Sequence, residues 1–443
     1  MPSLNFDNLP SEYQHLLQVA KETHQLDVAP LDELKGGRTG AFLYLASVST
    51  GDSRNVEHFI VKFDHPSETT RQTEKERHRH AMSQAPKSFA AHNMATLAYE
   101  FEDDGAVALF YSIAGQSLQH FRPLSAQENQ SRLEQLFGAT SKYLLDEWNA
   151  DAVFEKAIHP QKLLEKWLGY RLKPEGQIAS FLKDTMHIDP NTEGFLIQGQ
   201  VFPNPFIYGQ DAALWQKSRP IDIITGFQHG DLNIANILAR FNEDSENLEG
   251  YFLIDFALYK PQTPLLYDQN YLEMSYLIRE LNRASFQKWV SLAAQFSSKD
   301  FPNPKEVPIE LAGVCEVLNT ARNSFKNWVT ENHSSVSDDL WGQYRLAAVA
   351  AGLNYCNKAG LSTKERLAGL IYAAVHLKRY FAQFDMSLPT EAKLLYDASR
   401  WGENSIHTAE TPPIHIPAAP QHNLPTQLTS FIGREKEAAE IKT

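Results

Sequence analysis

Cysteine is nearly missing from this chain: two in 443 residues, Cys315 and Cys356, with no CxxC or other metal-ligand spacing. That excludes a disulfide scaffold and a thiolate zinc site, and leaves two thiols expected to sit buried or half-buried in a reducing cytoplasm. No window approaches the ~20 uninterrupted apolar residues that a bilayer span requires, so no membrane partner is expected. The opening MPSLNFDNLPSEY lacks a basic start followed by an apolar run, and does not read as a signal peptide. Net positive charge is missing too. A formal charge of −13 disfavours a general grip on nucleic-acid backbone, and the basic residues of 71–79 are interleaved with glutamates. The P-loop pattern G-x4-G-K-[ST] does not occur. What remains is an expected cytosolic globular protein, 42% hydrophobic and 21% charged, long enough for two or three domains.

The most informative stretch is 226–258, GFQHGDLNIANILARFNEDSENLEGYFLIDFAL. Two short apolar runs, Ile234–Ala239 and Tyr251–Ile254, flank a polar connection and read as paired strands. His229, Asp231 and Asn236 precede or open the first run, and Asp255 ends the second. A hairpin therefore gathers Asp231, Asn236 and Asp255 at one end of a sheet. Oxygen ligands of this kind suit Mg²⁺, which completes its shell with water and phosphate oxygens. A carboxylate beside the metal can take a hydroxyl proton during attack on a γ-phosphate. The plainer alternative is a capped strand pair with surface acids.

At these residues the chain resembles the aminoglycoside phosphotransferase and choline kinase branch of the protein-kinase-like fold. HGDLNIANIL matches the His-Gly-Asp catalytic loop of that branch, and LIDFA its metal-binding aspartate followed by an aromatic residue. The resemblance implies Asp231 as base, with His229 in the same loop, and Asn236 and Asp255 as metal ligands. Two departures stand out. Asn233 replaces a histidine common two residues after the aspartate, which puts antibiotic substrates in doubt. Ala257 replaces the glycine or acid often found after the aspartate-aromatic pair.

Upstream, residues 10–27 read as an amphipathic helix with Tyr13, Leu16, Leu17 and Ala20 on one side. Residues 31–50 read as strand, glycine turn, strand, with Gly36, Gly37 and Gly40 at the turn. Glycine amides can approach phosphate oxygens closely, although most such turns only close hairpins. HFIVKFD, residues 58–64, reads as a strand. Its Lys62 is either a solvated edge residue or, by the resemblance, the lysine that pairs with ATP phosphates. A polar helix over 68–84 offers Glu74 and Glu76 as its partner. They lie roughly 200° apart on the helix, and Glu76 is preferred for its more central place. Residues 94–101 and 106–113 read as two more strands, and AGQSLQHF after them resembles a hinge carrying adenine.

Further on, 126–188 reads as helical and 189–224 as irregular, either a substrate-selecting insertion or lineage decoration. Asp268 opens an apolar helix, where the resemblance implies support for the catalytic loop and local chemistry implies a plain N-cap. Helices are expected over Phe286–Phe296, Glu310–Trp328, Leu340–Cys356 and Lys364–Phe384. After about 402 a proline-rich linker leads to LPTQLTSFIGREKEAAEIKT, which resembles the lead-in of STAND-type signalling ATPases and suggests a fragment of a longer protein. A disordered tail ending in a charged helical turn is the alternative.

The expectation is therefore an α+β, two-lobed kinase-like fold: an N-terminal helix and small antiparallel-sheet lobe over 1–115, a helical lobe over 116–400, and a linker with lead-in over 401–443. Its expected function is transfer of the γ-phosphate of Mg²⁺–ATP to a hydroxyl acceptor, small molecule or protein. A catalytically inactive, nucleotide-sensing or protein-binding module is the rival.

Overall fold

A computed structural model describes residues 5–34, 41–51, 56–65, 73–112, 120–215, 218–242, 244–296 and 301–398. The glycine turn with Gly36, Gly37 and Gly40, most of the hinge-like segment, the linker and the STAND-like lead-in lie outside them.

In chain order the first elements are α1 (Ser11–His24), β1 (Leu26–Glu33), β2 (Phe42–Thr50), β3 (Val56–Asp64), α2 (Glu74–Gln84), α3 (Lys87–Asn93), β4 (Thr96–Asp103), β5 (Ala106–Ser112), β6 (Arg122–Pro123) and α4 (Gln130–Tyr143). There follow β7 (Val153–Ile158), α5 (Pro160–Leu168), α6 (Gln177–Ser180), β8 (Gly194–Ile197), β9 (Gln200–Pro203), α7 (Pro205–Gln210), β10 (Ile221–Gln228), β11 (Ile237–Phe241), β12 (Leu248–Leu253) and β13 (Lys260–Pro264). The last are α8 (Tyr267–Arg279), α9 (Phe286–Gln295), α10 (Ala312–Asn332), α11 (Ser337–Asn357), α12 (Thr363–Gln383) and β14 (Lys393–Tyr396). The class is mixed α+β, a small antiparallel sheet with many helices. Among the described residues no helix is long and apolar enough to cross a membrane.

The chain forms two compact units, the first from the described residues of 1–150 and 229–261, the second from those of 151–228 and 262–398. The first holds a five-stranded sheet in the order β1-β2-β3-β5-β4, antiparallel throughout. Strand alternation divides its side chains between two cores. Phe59, Val61 and Phe63 of β3 and Ala108 and Phe110 of β5 pack with Tyr13, Leu16 and Ala20 of α1. Ile60 of β3 and Leu109 and Tyr111 of β5 take the opposite face, with Leu238, Phe252 and Ile254 of the β11–β12 hairpin. Lys62, two residues beyond Ile60, therefore shares the face that meets this hairpin. The hairpin is paired from Ile237–Leu253 to Phe241–Leu248, and β6 extends it on β11.

In the second unit β10 lies between β13 and β7, and β8 between β14 and β9. Gln343 of α11 is buried and stitches helix to strand: its Oε1 accepts from Ile224 N at 2.8 Å, and its Nε2 donates to Ile224 O at 2.8 Å. Helices α11 and α12 cross at Gly352 and Gly369, where a Cβ on either would lie 2.5–2.6 Å from the other's carbonyl oxygen. Glu273 of α8 accepts from Arg322 Nε at 2.9 Å, from a second guanidinium nitrogen of Arg322, and from Tyr344 Oη at 3.3 Å and Tyr372 Oη at 2.5 Å.

Two sequence expectations need correction here. The 126–188 stretch is not wholly helical: Val153–Ile158 is a strand, too short and too exposed to carry an apolar signature. Nor is 189–224 irregular, since it contains β8, β9, α7 and β10, in which prolines sit at a strand end and at a helix N-terminus.

Candidate active site

The catalytic-loop candidate is built by backbone geometry. Gly230 has φ +84°, and a Cβ there would fall 2.2 Å from the Leu258 carbonyl oxygen, so only glycine fits. His229 is fully buried. Its Nε2 lies 2.9 Å from the carbonyl oxygen of Ile254, and the Asp231 amide donates to its Nδ1 at 3.4 Å. These two bonds require the Nε2–H tautomer. The histidine thus ties the loop to the residue immediately before Asp255.

The remaining loop residues hold one another. Asn236 Nδ2 donates to the Asp231 carbonyl oxygen at 2.8 Å, and the Asn236 carbonyl accepts from Ile254 N at 3.1 Å. With its amide nitrogen spent, Asn236 has Oδ1 as its atom for a cation. Asn233 makes an Asx turn, its Oδ1 accepting from Ala235 N at 2.8 Å. Its Nδ2 lies 3.2 Å from the Asp231 carbonyl oxygen and 3.4 Å from Asp231 Oδ2. Both Asp231 and Asn233 are half-buried.

Lys62 is 5% exposed. Its ammonium lies 2.7 Å from Glu74 Oε2, 3.1 Å from Asp255 Oδ2 and 3.9 Å from Asp64 Oδ2. Burial works against its charge, but Asp255, Glu74 and Asp64 outweigh it and hold the lysine above its ordinary range. Burial also opposes ionised Asp255, yet the Lys62 ammonium brings this carboxyl below its usual value. Glu74 goes the other way: burial, joined by the charge of Asp255, raises it against the pull of Lys62. Tyr111 Oη donates to Glu74 Oε1 at 2.8 Å and fixes the carboxylate from the far side.

The preference for Glu76 as lysine partner is therefore wrong. Thr73 and Glu76 form a reciprocal capping box at the start of α2, with Thr73 N donating to Glu76 Oε2 at 2.8 Å. Glu76 is exposed and occupied by its own helix end, while Glu74 turns inward. The T-x-x-E spacing that marks such a cap is present in the sequence and points to this assignment.

Helix α2 also packs against the segment after β12. His78 is 1% exposed, with ring centroids 5.1 Å from Tyr111 and 5.2 Å from Phe256, and the His229 ring lies 4.7 Å from Phe256 on its other flank. Burial pushes the His78 pKa down to about 4. Arg77, Tyr111 and His78 were not singled out by the sequence reading. Lying in a polar helix and an apolar strand, none carries a motif.

Lys62, Glu74 and Asp255 thus meet directly, and His229, Asp231 and Asn236 form one loop bonded to Ile254. Asp268 belongs to the second unit, as the second residue of α8; the helix is preceded by Leu266 at φ +75°, so Asp268 is not its N-cap. Among the described residues, no three or more His, Cys, Asp or Glu side chains converge as a metal-holding group. No protein-family model matches the chain, and no curated protein matches it significantly.

Proposed function

We propose that the chain is an ATP-dependent phosphotransferase of the two-lobed protein-kinase-like type, moving the γ-phosphate of Mg²⁺–ATP to a hydroxyl acceptor. The observation that carries this reading is the buried Lys62 ammonium bonded to Glu74 and Asp255, three residues from β3, α2 and the end of β12. Such a lysine is costly to bury unless paired, and an anchored ammonium beside a partly exposed carboxylate is what phosphate oxygens and a divalent cation require.

In this reading Lys62 holds phosphate oxygens and Glu74, braced by Tyr111, holds Lys62. Asp255, with a side chain 29% exposed, and Asn236 through Oδ1 would hold magnesium. One carboxylate and one amide suffice for an ion that keeps several waters and takes phosphate oxygens. When bound, Mg²⁺ neutralises charge on the phosphoryl oxygens. The acceptor hydroxyl oxygen forms the new P–O bond, the bond to the β-phosphate oxygen breaks, and ADP leaves. Asp231 takes the hydroxyl proton, its carboxylate oriented by Asn233. The STAND-like lead-in puts a signalling ATPase among the proposed partners.

The test is incubation of the purified chain with Mg²⁺ and γ-labelled ATP beside Asp231→Asn and Asp255→Ala. Label in the protein, or released phosphate, should fall at least about a hundredfold in both variants. Nucleotide binding without turnover across a panel of hydroxyl acceptors would favour the sensor, and no nucleotide binding would refute the reading.

A further inference from the structure

Asp255 sits in the left-handed region, at φ +64°, a conformation that non-glycine residues populate sparsely and keep where their surroundings hold them. Two bonds hold the turn that follows it. The Ala257 carbonyl accepts from Arg77 Nη1, and the Tyr259 amide donates to the Phe256 carbonyl oxygen at 3.0 Å. Arg77 lies on α2, three residues after Glu74, so the two share a helix face. One helix therefore grips both parts of the ion cluster: Glu74 on the lysine, and Arg77, through the Ala257 peptide, on the aspartate.

We propose that Arg77 is a positioning residue which, by fixing the Ala257 peptide, sets the Asp255 carboxylate and couples cation binding at Asp255 to phosphate binding at Lys62. The proposal deepens the phosphotransferase reading and rests on it. It also accounts for alanine at 257: the residue contributes its backbone carbonyl to Arg77 and needs no side chain of its own. A guanidinium suits this task because it reaches a carbonyl in a fixed plane while keeping its charge. Coupling of this kind is reciprocal: if magnesium tightens nucleotide binding by some factor, nucleotide tightens magnesium by the same factor.

The experiment titrates a fluorescent ATP analogue into the whole chain with and without MgCl₂, for wild type, Arg77→Gln and Arg77→Lys. In parallel, amide hydrogen exchange is followed at Ala257 and along α2 in the nucleotide-free proteins. Wild type should bind the analogue roughly tenfold more tightly with magnesium. In Arg77→Gln that factor should fall towards one while magnesium-free affinity stays within twofold, and Ala257 should exchange faster with α2 protection intact. Arg77→Lys, which retains charge and a donor, should recover part of both. Full coupling in Arg77→Gln would overturn the proposal. So would loss of affinity with and without magnesium together with loss of α2 protection, since that marks a merely structural role. If wild type bound no nucleotide, the reading of the site would fall and the coupling with it. If wild type bound with coupling that Arg77→Gln kept, only the role of Arg77 would fall.

Discussion

Lys62 is one cation among three carboxylates, and that ratio decides how each behaves. The ammonium cannot fully compensate two buried acids, so the more exposed Asp255 keeps its charge and the deeper Glu74 is pushed towards protonation. His78, on the same helix as Glu74, is governed first by burial. Its folded pKa of about 4 lies below the ordinary 6.5, so the unfolded chain binds more protons between those values. Stability from this group is fully present above about pH 6.5 and is lost as pH falls towards 4, by roughly 3 kcal/mol at the limit. Urea melts of wild type and His78→Leu across pH 7 to 4.5 should show a shallower pH slope in the variant. An unchanged slope would mean that His78 is not the buried neutral histidine described.

At the scale of elements, α2 joins local and long-range duties in its first turn. Thr73→Ala should cost about 1 kcal/mol through loss of the cap, with any remaining phosphoryl transfer per folded molecule unchanged. Glu76→Ala should behave likewise. Glu74→Gln should leave the cap intact but reduce transfer by at least about tenfold, because Lys62 loses the carboxylate it bonds at shortest range. Equal kinetic effects at 74 and 76 would contradict the division of roles.

This helix also shows what could be read from the sequence. Strand alternation in HFIVKFD already places Lys62 with Ile60 and opposite Val61, and the apolar runs framing Asp231 and Asp255 already imply a hairpin. The choice between Glu74 and Glu76 turns on the Thr73–Glu76 capping box, a local signal that the preference for the more central glutamate left out. Other features were out of reach. The Arg77–Ala257 bond joins residues 180 apart in sequence, and no spacing rule connects them. β7 is mostly exposed, so burial never wrote a pattern into it.

For the whole molecule, each compact unit carries its own buried ion pair. In the second, Arg322 and Glu273 are each 3% exposed as side chains, and two tyrosines satisfy the remaining carboxylate lone pairs. Removing one partner strands the other: Glu273→Ala should cost about 3–5 kcal/mol. The substitution of Arg322 and Glu273 together by apolar residues should cost less than Glu273→Ala alone. Chemical denaturation followed by hydrogen exchange in α8 and α11 would measure both, and additive losses would argue against a coupled pair.

The interleaving of the two units has a consequence for synthesis. Residues up to 150 emerge with the five-stranded sheet, but the hairpin that covers Ile60, Leu109 and Tyr111 and delivers Asp255 does not follow until residue 253 or later. At ribosomal rates that gap is on the order of ten seconds. During it the nascent chain exposes an apolar sheet face and a lysine without one of its carboxylates, while 151–228 waits in turn for the helices beyond 262. Neither unit can close until a later segment of the chain has been made, so shielding the early sheet during synthesis should raise the yield of folded protein.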